Sequence, residues 1–421
     1  MRTPLSAVLL ATLLAAPLPA QTDSALLRRA LRLHRAVPMM DGHNDLAENV
    51  AYRYHNSWDS LDIRRSQPAM MTDIPRLRAG AVGGQFFSVW VSPQVAAQRG
   101  ALRSALEQID IVQQMVVRYP DVFGAALTAA DVVRIHRSGR IAALIGVEGG
   151  HSIENSLSVL RVLYSLGARY LTLTWNNGQP WADAQGDSVR AHGLSPFGRE
   201  VIREMNRLGM LIDLAHVSDS TMVAAMRVSA APVMYSHSSA RALANVLRNV
   251  PDAILPMVRE NGGIVMVNFA CDFLDSVATR NDVEQRARMR DLRIRFGADT
   301  AGLRSAVQAL RQANAHVTPL SIAADHIDHI RDVAGIDHVG YGSDFDGIGC
   351  TPQGLEDVGM FPALTAELLR RGYSDDDVKK VIGLNMLRVM RQVEAVAARL
   401  QRERGPSTAT LAELDSAQVR R

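Results

Sequence analysis

Lysine is almost missing from this chain of 421 residues: Lys379 and Lys380 are the only two, and arginine supplies nearly all the positive charge. No lysine therefore ends an apolar run, which removes Schiff-base chemistry, a pyridoxal linkage and a carboxylated lysine bridging two metals. Cysteine is as scarce. Cys271 and Cys350 make no disulfide framework. They are either two separate buried or loop thiols or, if the runs before them are neighbouring strands, one disulfide on a shared rim. There is no Gly-X-Ser-X-Gly elbow, and neither cysteine has a histidine partner nearby in sequence, so a serine or cysteine nucleophile has no carrier. No glycine-rich phosphate loop follows the first apolar run, which disfavours a doubly wound nucleotide-binding sheet. A formal net charge of +3 is small for this length, and no basic stripe interleaved with aromatics is present, so nucleic acid is an unsuitable partner.

What is present begins with a leader. Arg2 supplies a positive start, residues 8–16 form an apolar stretch too short to span a bilayer, and Leu18-Pro19-Ala20 offers a small-residue cleavage site. Residues 1–20 read as a secretory signal peptide, and export to the periplasm or the medium follows. No cysteine follows the site to carry a lipid, and the polar stretch 399–421 has no hydrophobic tail for a GPI signal, so no membrane anchor is expected. Residues 21–400 read as one domain and 401–421 as a polar C-terminal tail.

The remaining chain alternates apolar runs with helix-length segments. Strands are predicted at 37–41, 81–91, 141–147, 168–174, 210–215, 232–236, 263–268 and 338–343. Helices are predicted at 23–35, 101–118, 129–138, 156–166, 196–208, 219–228, 253–261, 355–371 and 375–398, with Gly383 interrupting the last. Eight strands alternating with helices are the count of an α/β fold of the (β/α)8 TIM-like barrel type. A charged, helix-prone insertion at 281–312 falls between the seventh and eighth strands and reads as a lid or outer hairpin.

Polar residues end these runs. His43 and Asp45 follow the first, and residues two apart on a strand share a face. Glu148, His216, His237 and Asp344 end the third, fifth, sixth and eighth. In a parallel α/β fold the chemistry gathers at the C-terminal strand ends. Three histidines, two aspartates and one glutamate converging there suffice for two divalent ions, with a single glutamate bridging them. Other polar groups have plainer readings. His151 lies past a strand end and suits a structural or outer role. Asp325, His326, Asp328 and His329 sit in a helical stretch and suit helix packing. Asp213 points away from His216 by odd spacing and pairs elsewhere. Asp346 shares a face with Asp344. Trp90, Trp175 and Trp181 are candidates to shape a pocket, with core burial the default for tryptophan.

Ordered motifs across residues 37–390 resemble the membrane dipeptidase (renal dipeptidase) family of zinc peptidases. They are Asp41-Gly-His-Asn-Asp-Leu46, Thr72-Asp-Ile-Pro-Arg-Leu-Arg78 with Gly83-Gly-Gln-Phe86, Ile145-Gly-Val-Glu-Gly-Gly-His-Ser152, and Arg169-Tyr-Leu-Thr-Leu-Thr174 with Pro180-Trp-Ala-Asp183. Ile212-Asp-Leu-Ala-His-Val-Ser218, Ser236-His-Ser-Ser239, Arg248-Asn-Val-Pro251 and Gly342-Ser-Asp-Phe-Asp-Gly347 continue the series. The resemblance implies two Zn2+ per chain. One would be held by His43 and Asp45 and the other by His216 and His237, with Glu148 bridging and Asp344 touching the first ion and carrying the proton. It implies that Arg248 holds the substrate's C-terminal carboxylate, that the substrate is a small dipeptide cleaved by a metal-bound hydroxide, and that the protein is a homodimer. One position departs from the family pattern: Trp175 stands where many members have a histidine at the scissile carbonyl. Trp175 and Asn176 are left to take over part of that role. The alternative reading keeps the barrel and metals but assigns another amide or a lactone, such as an N-acyl amino acid or a β-lactam. A non-catalytic metal- or peptide-binding protein is disfavoured by the complete ligand set.

Overall fold

The structure is a computed structural model that describes residues 19–416 apart from 298, 314 and 315, together with the side chains placed in those stretches. Residues 1–18 of the expected signal peptide lie outside the described residues. Nine parallel strands form one sheet: β1 (Met39–Asn44), β2 (Val82–Trp90), β3 (Phe123–Ala125), β4 (Ile141–Glu148), β5 (Ala168–Thr172), β6 (Leu211–Asp213), β7 (Met234–Tyr235), β8 (Ile264–Val267) and β9 (Val339–Tyr341). The order β2-β1-β9-β8-β7-β6-β5-β4 closes on itself, because β2 pairs with β4 from Gly84–Ala142 to Trp90–Glu148. The eight-stranded parallel barrel expected from the sequence is therefore present.

Both faces of these strands are covered, so they read as continuous apolar runs rather than alternating ones. Met40, Phe86, Leu144, Tyr170, Met234 and Met266 belong to the cluster inside the barrel, while Phe87, Val89, Val147 and Leu171 belong to the cluster under the outer helices. Strand periodicity carries the consequence for β4: Ala142 and Leu144 belong to the inner cluster, so Glu148 shares their face and projects into the barrel mouth.

Helix ends follow local chemistry. Helix Pro196–Leu208 starts with Ser195 accepting from Gly198 N, carries proline in its first turn and stops at Gly209 with φ +86°. Helices Ala101–Arg118 and Asp219–Val228 coincide with their predicted spans. The insertion forms the expected hairpin, with helices Ser276–Phe296 and Thr300–Ala313.

Several expectations need correction. β3 was not foreseen. It pairs only with the first three residues of β4, ahead of the point where β5 takes over at Ile145. The strand expected at 338–343 is shorter, because His338 closes a 3-10 turn, Ile336–His338, and its Nδ1 bonds Gly263 O at 2.7 Å. The helix expected from 355 begins at Phe361. The helix expected at 375–398 is Asp375–Lys379, a π-helical turn Lys380–Leu384, and Asn385–Glu403. A Cβ on Gly383 would lie 2.0 Å from Pro38 O, so the wide turn sits where the helix meets the barrel's N-terminal rim. Beyond Glu403 the chain folds back: Asp415 accepts hydrogen bonds from Ser195 Oγ and Phe197 N.

Cys271 and Cys350 form a disulfide with Cα atoms 5.5 Å apart, which decides between the two readings. It ties the start of the segment after β8 to the loop after β9.

Candidate active site

His43 lies in β1 and is fully buried. Asp45 does not share a strand face with it, as the two-residue spacing had suggested: β1 ends at Asn44, and Asp45 takes the N-cap position of helix Leu46–Arg53 with φ −96° and ψ 27°. Its carboxylate makes no capping bond and turns instead toward His43, whose Nε2 lies 3.3 Å from Asp45 Oδ1. The same Nε2 lies 3.3 Å from Glu148 Oε2 and 3.9 Å from Asp344 Oδ1. On the other side, Glu148 Oε1 lies 2.9 Å from His216 Nε2 and 3.7 Å from His237 Nε2, and these two nitrogens are 3.0 Å apart. The two oxygens of Glu148 thus face different histidines. The six residues converge at the C-terminal mouth of the barrel. His216 and Asp344 do so from left-handed backbone, with φ +68° and +64°, a conformation that costs a non-glycine residue about 1 kcal/mol or more.

Each imidazole is oriented from behind. Tyr170 OH bonds His43 Nδ1 at 2.8 Å, Asn176 Oδ1 bonds His216 Nδ1 at 2.9 Å, and Ser236 Oγ bonds His237 Nδ1 at 2.7 Å. Ser236 donates its single hydroxyl proton to Asp213 Oδ2 at 2.6 Å, so it accepts from His237 Nδ1–H. Asn176 Oδ1 only accepts, so His216 also carries its proton on Nδ1. Both Nε2 atoms of this pair then face each other as bare lone pairs. His43 Nε2 and Asp45 Oδ1 are buried without any hydrogen-bond partner. Two facing lone pairs, an orphaned carboxylate oxygen and three carboxylates in one buried mouth repel one another unless cations lie between them. The donor set, imidazole nitrogen plus carboxylate with outer hydrogen bonds fixing each tautomer, suits a zinc-like divalent ion. The groups His43, Glu148, His237 and His43, Asp45, Asp344 each bring ligand atoms within 4.8 Å of one another.

Electrostatics agree with this crowding. Burial lowers His216 to about 4, reinforced by the Arg248 guanidinium, and lowers His237 further below its ordinary range. Asp344 is raised well above the carboxylate range by burial and by repulsion from Asp45 and Glu148; its Oδ2 accepts from Asn268 Nδ2 at 2.8 Å. Glu48, on the helix that Asp45 opens, is pushed up to about 9 by burial and by Asp45, Glu148 and Asp344.

These groups open into a cavity of about 940 Å³. Arg248 is buried in its wall. Its Nη1 donates to Ser238 Oγ at 3.4 Å and its Nη2 to His237 O at 3.3 Å, and no carboxylate of the described residues pairs with it. Trp175 lies 6.0 Å from the His216 ring and 5.2 Å from Trp90, and both indoles line the cavity. Asn176 also lines it, but its side-chain oxygen is engaged by His216 and by Gln185 Nε2. Asn281, Asp282, Gln285 and Arg286 of the inserted hairpin border the mouth.

The remaining candidates fall outside this centre. Trp181 is fully buried and donates to Asn155, so it shapes the core and not the pocket. His151 Nε2 bonds Val91 O at 2.8 Å. His326 is locked between Ala240 N and Leu274 O, His329 pairs with Asp252, and Asp325 and Asp328 pair with Arg371, a packing cluster as expected. Asp346 accepts from Met71 N and does not reach the histidines. Tyr170, Asn268, Ser236 and Ser88, whose Oγ donates to Glu148 Oε2 at 3.2 Å, were missed. Each sits inside or directly after an apolar strand and carries no spacing signal of its own. Gly146 makes room for one of them: a Cβ there would lie 1.9 Å from the Tyr170 ring that reaches His43.

A closed parallel barrel with histidines and carboxylates at its strand ends defines a metal-dependent hydrolase architecture. The chain belongs to the membrane dipeptidase family (peptidase family M19), whose profile matches residues 27–404. It is 41% identical over 385 residues to dipeptidase verJ of Clonostachys rogersoniana, covering 89% of each chain. To human dipeptidase 3 it is 41% identical over 374 residues, covering 87% of this chain and 67% of the relative. Among solved structures, a metallo peptidase from Rhodobacter sphaeroides, liganded with a phosphinate mimic of the dipeptide L-Ala-D-Ala, superposes with TM-score 0.69. It is 28% identical, covering 85% of this chain and 99% of that one. The dipeptidase AC structure, also of family M19, superposes with TM-score 0.70 at 27% identity, covering 85% and 98%. Among the described residues no helix is long and apolar enough to cross a membrane.

Proposed function

We propose that this chain is an exported binuclear zinc dipeptidase. His43 and Asp45 would hold one ion, His216 and His237 the other, and Glu148 would reach both. The observation that carries this reading is the convergence of three imidazole Nε2 atoms and three carboxylates, with every Nδ1 engaged from outside. When bound, the pair of ions supplies an acidified water at neutral pH and charge stabilisation for the developing oxyanion.

The protein's own groups do the rest. Arg248, buried and without a carboxylate partner among the described residues, receives the substrate's C-terminal carboxylate in a bidentate fork. This fixes the scissile carbonyl over Glu148 and the histidines. Trp175 closes the wall beside His216 and offers an indole N–H at the position where the family resemblance implies a histidine, and Asn176 holds the His216 ring in register. Asp344 takes a proton from the attacking water and passes it to the leaving amine as the C–N bond breaks, so that water ends as hydroxyl on carbon and hydrogen on nitrogen.

Trp175 also keeps a second reading open, hydrolysis of another amide or a lactone on the same barrel. One experiment separates them. Protein stripped by chelator is titrated with zinc against dipeptides and their C-terminal amides. The dipeptidase reading expects about two zinc ions per chain, recovery of turnover with zinc, and poor turnover of the amides. Glu148→Ala is expected to lose metal and activity together. One ion or none in fully active protein rejects the binuclear centre, and equal turnover of amides promotes the second reading. The leader, cleavage and a homodimeric state are checked by N-terminal sequencing of exported protein and by light scattering.

A further inference from the structure

Glu48 is a carboxylate that the chemistry above does not use. It lines the same cavity as Glu148, Arg248 and Trp175, on helix Leu46–Arg53 one turn after Asp45. It makes no hydrogen bond or ion pair with any described residue; its neighbours act on it only through charge, and they are chiefly other carboxylates. No cationic side chain of the described residues pairs with it, although it faces the open cavity.

Two further observations point to a cation. Glu48 and Tyr52 are four apart on one helix face, and Tyr52 packs edge-on against Trp90 with ring centroids 6.0 Å apart. Glu48 therefore stands beside Trp90, which in turn meets Trp175 at 5.2 Å. A carboxylate in a cavity wall that two indoles also line is a site for an ammonium or guanidinium group, held by charge and by cation–ring attraction. The barrel order sets the direction. Trp90 ends β2, Arg248 follows β7, and these strands are four steps apart whichever way the eight-stranded ring is followed. They face each other across the mouth. A dipeptide whose carboxylate lies on Arg248, spanning the centre of the mouth, presents its N-terminal residue to the wall made by Glu48, Trp90 and Trp175.

We infer that Glu48, in the wall it shares with Trp90 and Trp175, is a specificity determinant that binds a cationic group on the N-terminal residue of the substrate. The inference rests on the dipeptidase reading. The cation has two possible sources, the α-ammonium or a basic side chain, and the test separates them.

Zinc-loaded wild type and Glu48→Gln are compared on lysyl-alanine and norleucyl-alanine, with hexanoyl-alanine, which has neither ammonium, as a competitive ligand. Metal content is measured for both proteins. A basic side chain as the source gives a wild-type preference for lysyl-alanine of about tenfold or more in kcat/KM, lost in Glu48→Gln, with norleucyl-alanine unchanged. The α-ammonium as the source gives a similar loss on both dipeptides while hexanoyl-alanine binds both proteins equally. Unchanged turnover of both dipeptides overturns the inference, as does weaker binding of hexanoyl-alanine in step with the dipeptides or loss of zinc, since a structural role would produce those. No turnover of either dipeptide by wild type removes the dipeptidase reading and this inference with it.

Discussion

Replacing Arg248 with methionine separates substrate binding from the rest of the chemistry. Arg248 is 6% exposed, and among the described residues its guanidinium makes two long hydrogen bonds, at 3.3 and 3.4 Å, and lies 5.3 Å from the Phe273 ring. Burial lowers its affinity for its proton, against the pull of Asp344 and Glu148. A buried cation with so little compensation is costly to the empty protein. Its removal is therefore expected to leave the fold intact and to stabilise it by about 1 kcal/mol or more, the scale on which apolar replacement of buried charge acts. Catalysis moves the other way. A substrate carboxylate on the guanidinium forms two charge-assisted bonds in a desolvated wall, worth about 3 kcal/mol together. Arg248→Met should then lower kcat/KM for a free dipeptide about 10²-fold, and Arg248→Lys should fall between, keeping the charge without the fork. The assay is steady-state turnover of a dipeptide and its C-terminal amide, alongside denaturant unfolding of the metal-free proteins. The loss should shrink for the amide, which offers no carboxylate. An equal loss on both substrates, or an unchanged kcat/KM, refutes the role of Arg248; a fall in stability refutes the reasoning about its uncompensated charge.

Asp344→Asn should retain most of the metal, because His43, Asp45, Glu148, His216 and His237 remain. It should lose about 10²- to 10⁴-fold in kcat; near-normal kcat would remove Asp344 from the proton transfer. The Cys271–Cys350 bridge closes a separation of 79 residues, so the double serine variant should lose about 4 kcal/mol of unfolding free energy by the chain-entropy estimate. Unchanged stability in denaturant would show that the thiols are not paired. His326 is fully buried, and burial lowers it to about 4 from an ordinary value of 6.5. The unfolded chain thus binds its proton first. Stability is complete above pH 6.5 and is lost as pH falls toward 4, by about 2 kcal/mol at pH 5 for this one group. His326→Asn, which keeps an acceptor for Ala240 N, should flatten the unfolding free energy between pH 7 and pH 5 relative to wild type; identical slopes would exclude His326 as the acid-sensitive group.

Helix boundaries were readable where local chemistry sets them. Ser195, a proline at 196 and Gly209 bracket Pro196–Leu208 because capping and φ restriction act within a few residues. β3 was not readable, since three residues have no usable period and its pairing depends on where β5 joins β4. The six centre residues were visible because each follows an apolar run, but the means by which Asp45 meets His43 was not. The sequence suggested a shared strand face, and the structure uses a turn into a helix.

The sequence by itself determined the alternation of strands and helices, the order of the six polar residues that end the strands, and the family. Those depend on residue type and on spacing along the chain, which folding does not change. Tertiary structure alone decided which outer groups orient the histidines, that Cys271 meets Cys350, and that Trp181 is core while Trp90 and Trp175 form a wall. It also decided that Trp90, at the end of β2, and Arg248, after β7, belong to opposite sides of one ring. These are contacts between segments tens to hundreds of residues apart. They exist only once the barrel closes, because closure is what converts eight separate strand ends into one ring.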